Sequence, residues 1–273
     1  MEEFKRVFGI KFIMVFTVTV LLNIGLFVYS SSEGKSMSDI RQETHYRQWI
    51  IGELSDMQPE EALEIADIQS DSVIKRKYDE LESEEQTVYS RQLNKIKEQL
   101  EYIIKYPEDI KNIQNNADTL KSFSIFADKN SFTYNNIQKT AKDFKRVEGV
   151  QLYLTDNKAV SGFVTYYYIY YLALILNVFV LYELFGEREN GMWCIVHTSK
   201  SGRAKLAFNR TMIITASAFI ITGVLFFTTF LTSFILYKTA SINAPIQNIE
   251  SFSRFSLPMS QLQYIIYDFL SSF

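Results

Sequence analysis

Three long apolar stretches, at residues 12–29, 163–184 and 212–237, constrain what this chain can fold into more than any other feature. A helix rises about 1.5 Å per residue, so a hydrocarbon layer roughly 30 Å thick needs about 20 apolar residues to cross. Each stretch is close to that length, and the third carries no charged side chain. Residues 31–162, by contrast, are dense in Glu, Asp, Lys and Gln. The pattern predicts an all-α membrane protein with three transmembrane helices and a large, mainly helical extracellular domain.

The divisions follow from the same pattern. A cytoplasmic N-terminus covers 1–11, the spans 12–30, 163–185 and 211–237, and an extracellular helical domain 31–162. A cytoplasmic loop covers 186–210 and an external tail 238–273. Orientation follows from basic residues near the spans, which stay on the cytoplasmic side. Lys5, Arg6 and Lys11 precede the first span, while Arg188, Lys200, Arg203, Lys205 and Arg210 lie between the second and third. A cleaved signal peptide would share that basic start, but its apolar run is usually only about 7–15 residues. The first span therefore reads as an uncleaved anchor. Tyr166, Tyr167, Tyr168, Tyr170 and Tyr171 read as an aromatic belt at one membrane interface.

Within 31–162, Pro59 and Pro107 are each followed by acidic residues, which predicts the first turn of a new helix at both. Ile74, Tyr78 and Leu81 recur at heptad-like spacing. Tyr89, Leu93, Ile96, Leu100 and Ile103 continue the pattern after a phase shift, so the acidic run 82–85 predicts a bend or stutter. Ile110, Ile113, Ala117 and Leu120 mark the next stripe, and a turn at Tyr106–Pro107 would make an antiparallel hairpin. These stripes read as internal core rather than as a partner-binding coiled coil. Residues 131–146 predict a short capped helix, and 149–154 a strand or an extended lead.

Catalytic chemistry has little to work with. The single Cys194 excludes an internal disulfide. No G-x-x-x-x-G-K-[ST] loop and no H-E-x-x-H occurs, and His45 and His197 fall on opposite sides of the predicted membrane. No catalytic or metal-binding residue is expected, and no basic, aromatic-interleaved run suggests nucleic acid. Acidic pairs such as Glu60–Glu61 and Glu84–Glu85 read as solvated helix faces. Inside the spans the polar residues are Asn23, Asn177 and Glu183. An ionisable group inside a membrane is a functional candidate, but Glu183 lies near the interface. On the third span Thr215, Ala218, Thr222, Thr229 and Thr232 form a seam interrupted by Leu225. Small and hydroxylic residues suit close helix packing or a substrate-lining face, with Thr215, Thr222 and Thr229 the candidates.

The most specific signal is the loop from Glu187 to Arg203, which opens Glu187-Arg188-Glu189-Asn190-Gly191-Met192 and closes Ser201-Gly202-Arg203. It resembles the first cytoplasmic loop of bacterial ABC transporter permeases of the second exporter type. Glu187, Gly191, Thr198, Gly202 and Arg203 match the family pattern. Weaker likeness lies at residues 123–126, 132–136 and Thr140, and at Ala244-Pro245-Ile246-Gln247. The resemblance implies a multi-pass protein of the bacterial plasma membrane, with a coupling helix in which Glu187, Gly191, Met192, Ile195, Thr198 and Arg203 dock on a separate ABC ATP-binding subunit. It also implies a second permease copy or paralogue as partner, contact with membrane lipid, and no cofactor bound directly, ATP being held by the partner. Such permeases usually have six spans, so the chain reads as truncated to the N-terminal half, with 262–270 beginning an incomplete fourth helix. A truncated gene or a split subunit would each produce this. The rival class is a membrane-anchored extracellular sensor or interaction protein without transport activity.

Overall fold

The computed structural model describes residues 7–66, 72–123, 129, 131–185, 200–238 and 241–272. Among them every regular element is helical, and the single β-bridge, Pro245 to Ser260, belongs to no strand. The extended 149–154 segment is accordingly not a strand. The chain divides into two compact units, one of residues 1–35, 162–236 and 266–273, the other of 36–161 and 237–265.

The first unit is built from helix α1 (Ile10–Ser32), helix α8 (Tyr168–Phe185) and most of helix α9 (Lys200–Tyr237). Ile10–Ser32, Tyr168–Phe185 and the Leu206–Tyr237 part of α9 are long and apolar enough to cross a membrane. Much of their apolar surface faces outward: Ile10, Val18, Leu21, Leu174, Ile175, Phe227 and Ile235 are all exposed. An apolar surface this continuous suits hydrocarbon, not water. The second apolar stretch does not begin a helix at residue 163. Helix α7 (Lys158–Val164) is separate, and Thr165–Tyr167 break the chain before α8 starts. Tyr166 turns inward while Tyr167, Tyr168, Tyr170 and Tyr171 stay exposed. The expected loop 186–210 is likewise shorter, since α9 already runs from Lys200.

The second unit holds helix α2 (Met37–Leu54), helix α3 (Pro59–Ile65), helix α4 (Val73–Asp79), helix α5 (Ser83–Ser122) and helix α6 (Phe132–Lys145). Their starts follow local chemistry. Ser36 accepts from Asp39 N at 3.2 Å while the Asp39 carboxylate accepts from Ser36 N at 3.1 Å, a reciprocal cap. Pro59 takes the first helical position of α3, with Glu60 and Glu61 beside the positive helix end. Ser131 caps α6 by accepting from Tyr134 N at 3.1 Å. At the acidic run the chain breaks outright, α4 ending at Asp79 and α5 starting at Ser83.

The expected turn at Tyr106–Pro107 is absent. Pro107 lies inside α5, which runs unbroken for 40 residues. An interior proline costs a helix about 3 kcal/mol. Here Leu100, Ile103, Tyr106 and Ile110 form one buried stripe across it. Fully burying a large apolar side chain is worth about 1.5–3 kcal/mol, so continuity through two or three of them offsets the proline. The hairpin closes later: α6 returns along α5 and brings Phe144 and Val147 back to Tyr106 and Ile110. The main core joins Tyr46, Ile50 and Leu54 of α2, Ala62 of α3, Ile74 of α4, and Tyr89, Leu93, Ile96 and Leu100 of α5.

Residues 237–265, nearly all expected in the external tail 238–273, complete this second unit. Two short 3-10 turns, Ile246–Asn248 and Glu250–Phe252, lead to helix α10 (Gln261–Ser271). Ile246, Gln247, Asn248, Ile249 and Gln261 are all buried. The backbone is stitched by Ile246 N donating to Met259 O and Gln261 N to Ala244 O, both at 2.9 Å.

Candidate functional site

Within the first unit the polar centre is Asn23 of α1, which is wholly buried. Its amide donates to Thr229 Oγ1 at 2.7 Å and to Leu225 O at 3.3 Å. Its side-chain and backbone oxygens each accept from Tyr166 OH at 3.2 Å. An amide in an apolar bundle needs such partners, because hydrocarbon supplies none. Of the seam candidates, Thr222 and Thr229 are buried, but Thr215 is exposed. The packed row advances by fours instead, through Ser217, Ile221, Leu225, Thr229 and Ser233. Leu225, an interruption in the sequence pattern, is thus part of the buried face.

Of the coupling candidates, Glu187, Gly191, Met192, Ile195 and Thr198 lie outside the described residues, and Arg203 falls in the first turns of α9 with its side chain outside them. His197 also lies outside. Among the described residues no three His, Cys, Asp or Glu side chains converge on a metal-sized site.

Of the cavities that open in the second unit, two share Tyr102 and Glu250. The smaller, of about 340 Å³, is walled by Arg47 of α2, Gln99 and Tyr102 of α5, the Thr155–Lys158 turn, and Asn248. A tight network builds that wall. Arg47 Nε donates to Asp156 Oδ1 at 2.9 Å, a pair with side chains only 12% and 6% exposed. Asp156 also accepts from Lys158 N at 3.2 Å. Asn248 Nδ2 donates to Tyr153 O at 2.7 Å and Thr155 Oγ1 at 3.3 Å. Gln99 donates to Thr155 O at 3.0 Å, and Gln261 to Asn157 Oδ1 at 2.7 Å. Tyr102 OH donates to Gln247 O at 2.7 Å. Burial foremost, then Tyr106, Glu250 and Asp109, push the Tyr102 phenol well above its ordinary range. The larger cavity, of about 590 Å³, shares Tyr102 and Glu250 and adds Ile110, Ile113 and Phe144. Tyr106 borders it, its phenol raised to about 12 by burial.

None of Arg47, Asp156, Asn157 or Asn248 stands out in the sequence. The available signal was the run Ile246-Gln247-Asn248-Ile249, where amides set between isoleucines mark polar groups taken into a core. Compared with known proteins, the chain matches no family model, no curated protein and no solved structure.

Proposed function

We propose that this chain is a membrane-spanning permease subunit, or the N-terminal half of one, of a bacterial ABC exporter in the plasma membrane. The observation that carries the reading is the residue order of the loop from Glu187 to Arg203 between the second and third apolar helices. Residues 1–11 and 186–210 are cytoplasmic and residues 31–162 extracellular, in keeping with the basic residues flanking the spans. A separate subunit hydrolyses ATP, and its motion reaches the spans through this loop. Met192, Ile195 and Val196 give the docking helix its apolar face, while Glu187 and Arg203 offer charge-assisted bonds at its ends. The buried contact from Asn23 to Thr229 ties α1 to α9 and supports concerted movement of the bundle. A second permease copy or paralogue completes the transporter.

The polar cavity beside Arg47 favours the other reading, a membrane-anchored sensor whose outer domain recognises a ligand without transport. One experiment separates them. Purified in mild detergent from its native membrane, the full chain should carry ATP hydrolysis that co-elutes with a P-loop ATPase subunit. Ile195→Asp should release that subunit, because truncating or charging a buried interface anchor costs more than about 1 kcal/mol. Lys205→Ala should leave it bound. An intact complex in Ile195→Asp would reduce the loop to a topological anchor and put the sensor first.

A further inference from the structure

The cavity of about 590 Å³ is walled by one stripe of α5 and by the turn at residues 250–254. Tyr102, Tyr106, Asp109, Ile113 and Asn116 recur at helical spacing, so they share a side of α5. Asp109 follows Tyr102 by close to two full helical turns, which sets its carboxylate on the tyrosine's side. The turn contributes Glu250, Ser253 and Arg254, and α6 contributes Phe144. Tyr106 and Ile110 are buried, whereas Asp109, Glu250 and Arg254 are exposed. The cavity thus combines an apolar, aromatic floor with a charged rim that solvent reaches.

Charge narrows the class of ligand. The side chains of Asp109, Glu250 and Arg254 make no hydrogen bond or ion pair among the described residues, so none of the three is neutralised within the fold. After burial and Tyr106, the two carboxylates are what raise the Tyr102 phenol, so both stand near one hydroxyl on this wall. Asn112, Asn116 and Ser253 are neutral, which leaves the rim with two negative groups against one positive. A simple anion would meet the pair of acids, and a hydrated metal ion would gain nothing from the aromatic floor. An ammonium is drawn to both features, by charge to the acids and by the ring quadrupole to a tyrosine face. The volume falls within the roughly 300–1,000 Å³ typical of small-molecule sites. Ile110, Ile113 and Phe144 offer surface to an apolar body.

We propose that this cavity binds a small organic amine with one positive charge, its ammonium between Asp109 and Glu250 against the Tyr102 ring and its apolar body on Ile110, Ile113 and Phe144. Arg254 is then the adverse charge of the site, repelling the ligand weakly across the rim. All of these residues belong to the second unit, and the assignment stands independently of the permease reading.

The test uses the full chain in dodecyl maltoside micelles at neutral pH. Phenethylamine and cyclohexylmethylamine are titrated by calorimetry, each beside the alcohol and the carboxylate of the same body. Partition into the micelle is common to the protein and its variants, and drops out of the comparison between them. At least one amine should bind saturably and about tenfold more tightly than its alcohol, as expected for one cation–π contact and two exposed charge contacts together. The carboxylates should bind most weakly. Asp109→Asn and Glu250→Gln should each weaken the amine about threefold. Arg254→Gln should act in the opposite direction and tighten it about threefold. All three positions are exposed, so the variants should fold as the parent does. Amines that bind no tighter than their alcohols, no saturable binding of either amine at millimolar concentration, or a weaker amine affinity in Arg254→Gln overturns the assignment. Unchanged affinity in both Asp109→Asn and Glu250→Gln does the same.

Discussion

Asn23 sits in the most apolar part of the chain and still satisfies its amide through Thr229, Leu225 and Tyr166. Each partner keeps another hydrogen bond: Thr229 Oγ1 donates to Leu225 O at 2.9 Å, which serves both residues, and Tyr166 OH also donates to the Asn23 backbone oxygen. Losing the amide therefore leaves no partner stranded, and the expected cost is moderate. Polar contacts between membrane helices average about 0.6 kcal/mol and reach about 1.7. A double-mutant cycle of Asn23→Leu and Thr229→Val, read by unfolding in bicelles, should give a coupling energy inside that window. A coupling indistinguishable from zero would show the contact to be incidental to the packing of α1 against α9. The same residues mark how far the sequence was legible. Thr222 and Thr229 were readable as packing residues, because small hydroxylic side chains in an apolar helix have few other uses. Thr215, on the same seam, is exposed.

Helices were readable wherever their ends carry chemistry. Ser131 and Pro59 announce their helices in the sequence, and the structure starts α6 and α3 at those points. Pro107 carried the same local signature, with Glu108 and Asp109 following, and yet lies mid-helix. Local preference and the buried stripe pointed in opposite directions there, and packing, which no short window contains, prevailed. The consequence is measurable. Pro107→Ala restores a backbone donor toward the Ile103 carbonyl and removes the ring clash, while giving up some rigidity in the unfolded chain worth about 0.4–1 kcal/mol. The net expectation is a gain of about 2–2.6 kcal/mol, or a Tm rise of about 2–4 °C for each kcal/mol in a unit this size. A lower Tm would mean that Pro107 itself favours the packing of α6 along α5.

At the scale of the molecule, the least legible feature is that the second unit is discontinuous. Residues 237–265 read as a tail because their short apolar patches, separated by Pro245 and Pro258, show no helical period before Gln261. Their role depends on distant partners: Tyr153, Thr155 and Asn157 for the amides of Asn248 and Gln261, and Tyr102 for the Gln247 carbonyl. A polypeptide of residues 36–161 should accordingly be helical but weakened. Adding 237–265, fused through a flexible linker, should raise the guanidinium midpoint of its unfolding, and an unchanged midpoint would show the segment to be a passenger.

This interruption also sets an order of events during synthesis. Ribosomes add about 5–20 residues per second, so residues 36–161 emerge and wait on the order of ten seconds before 237–265 exist. For that interval Tyr102 and the Tyr153 and Thr155 acceptors lack the partners supplied by the later segment, and the nascent unit remains open to chaperones and proteases. The segment arrives only after α9 has been made. Until it does, the second unit lacks the amides of Asn248 and Gln261 and the Gln247 carbonyl.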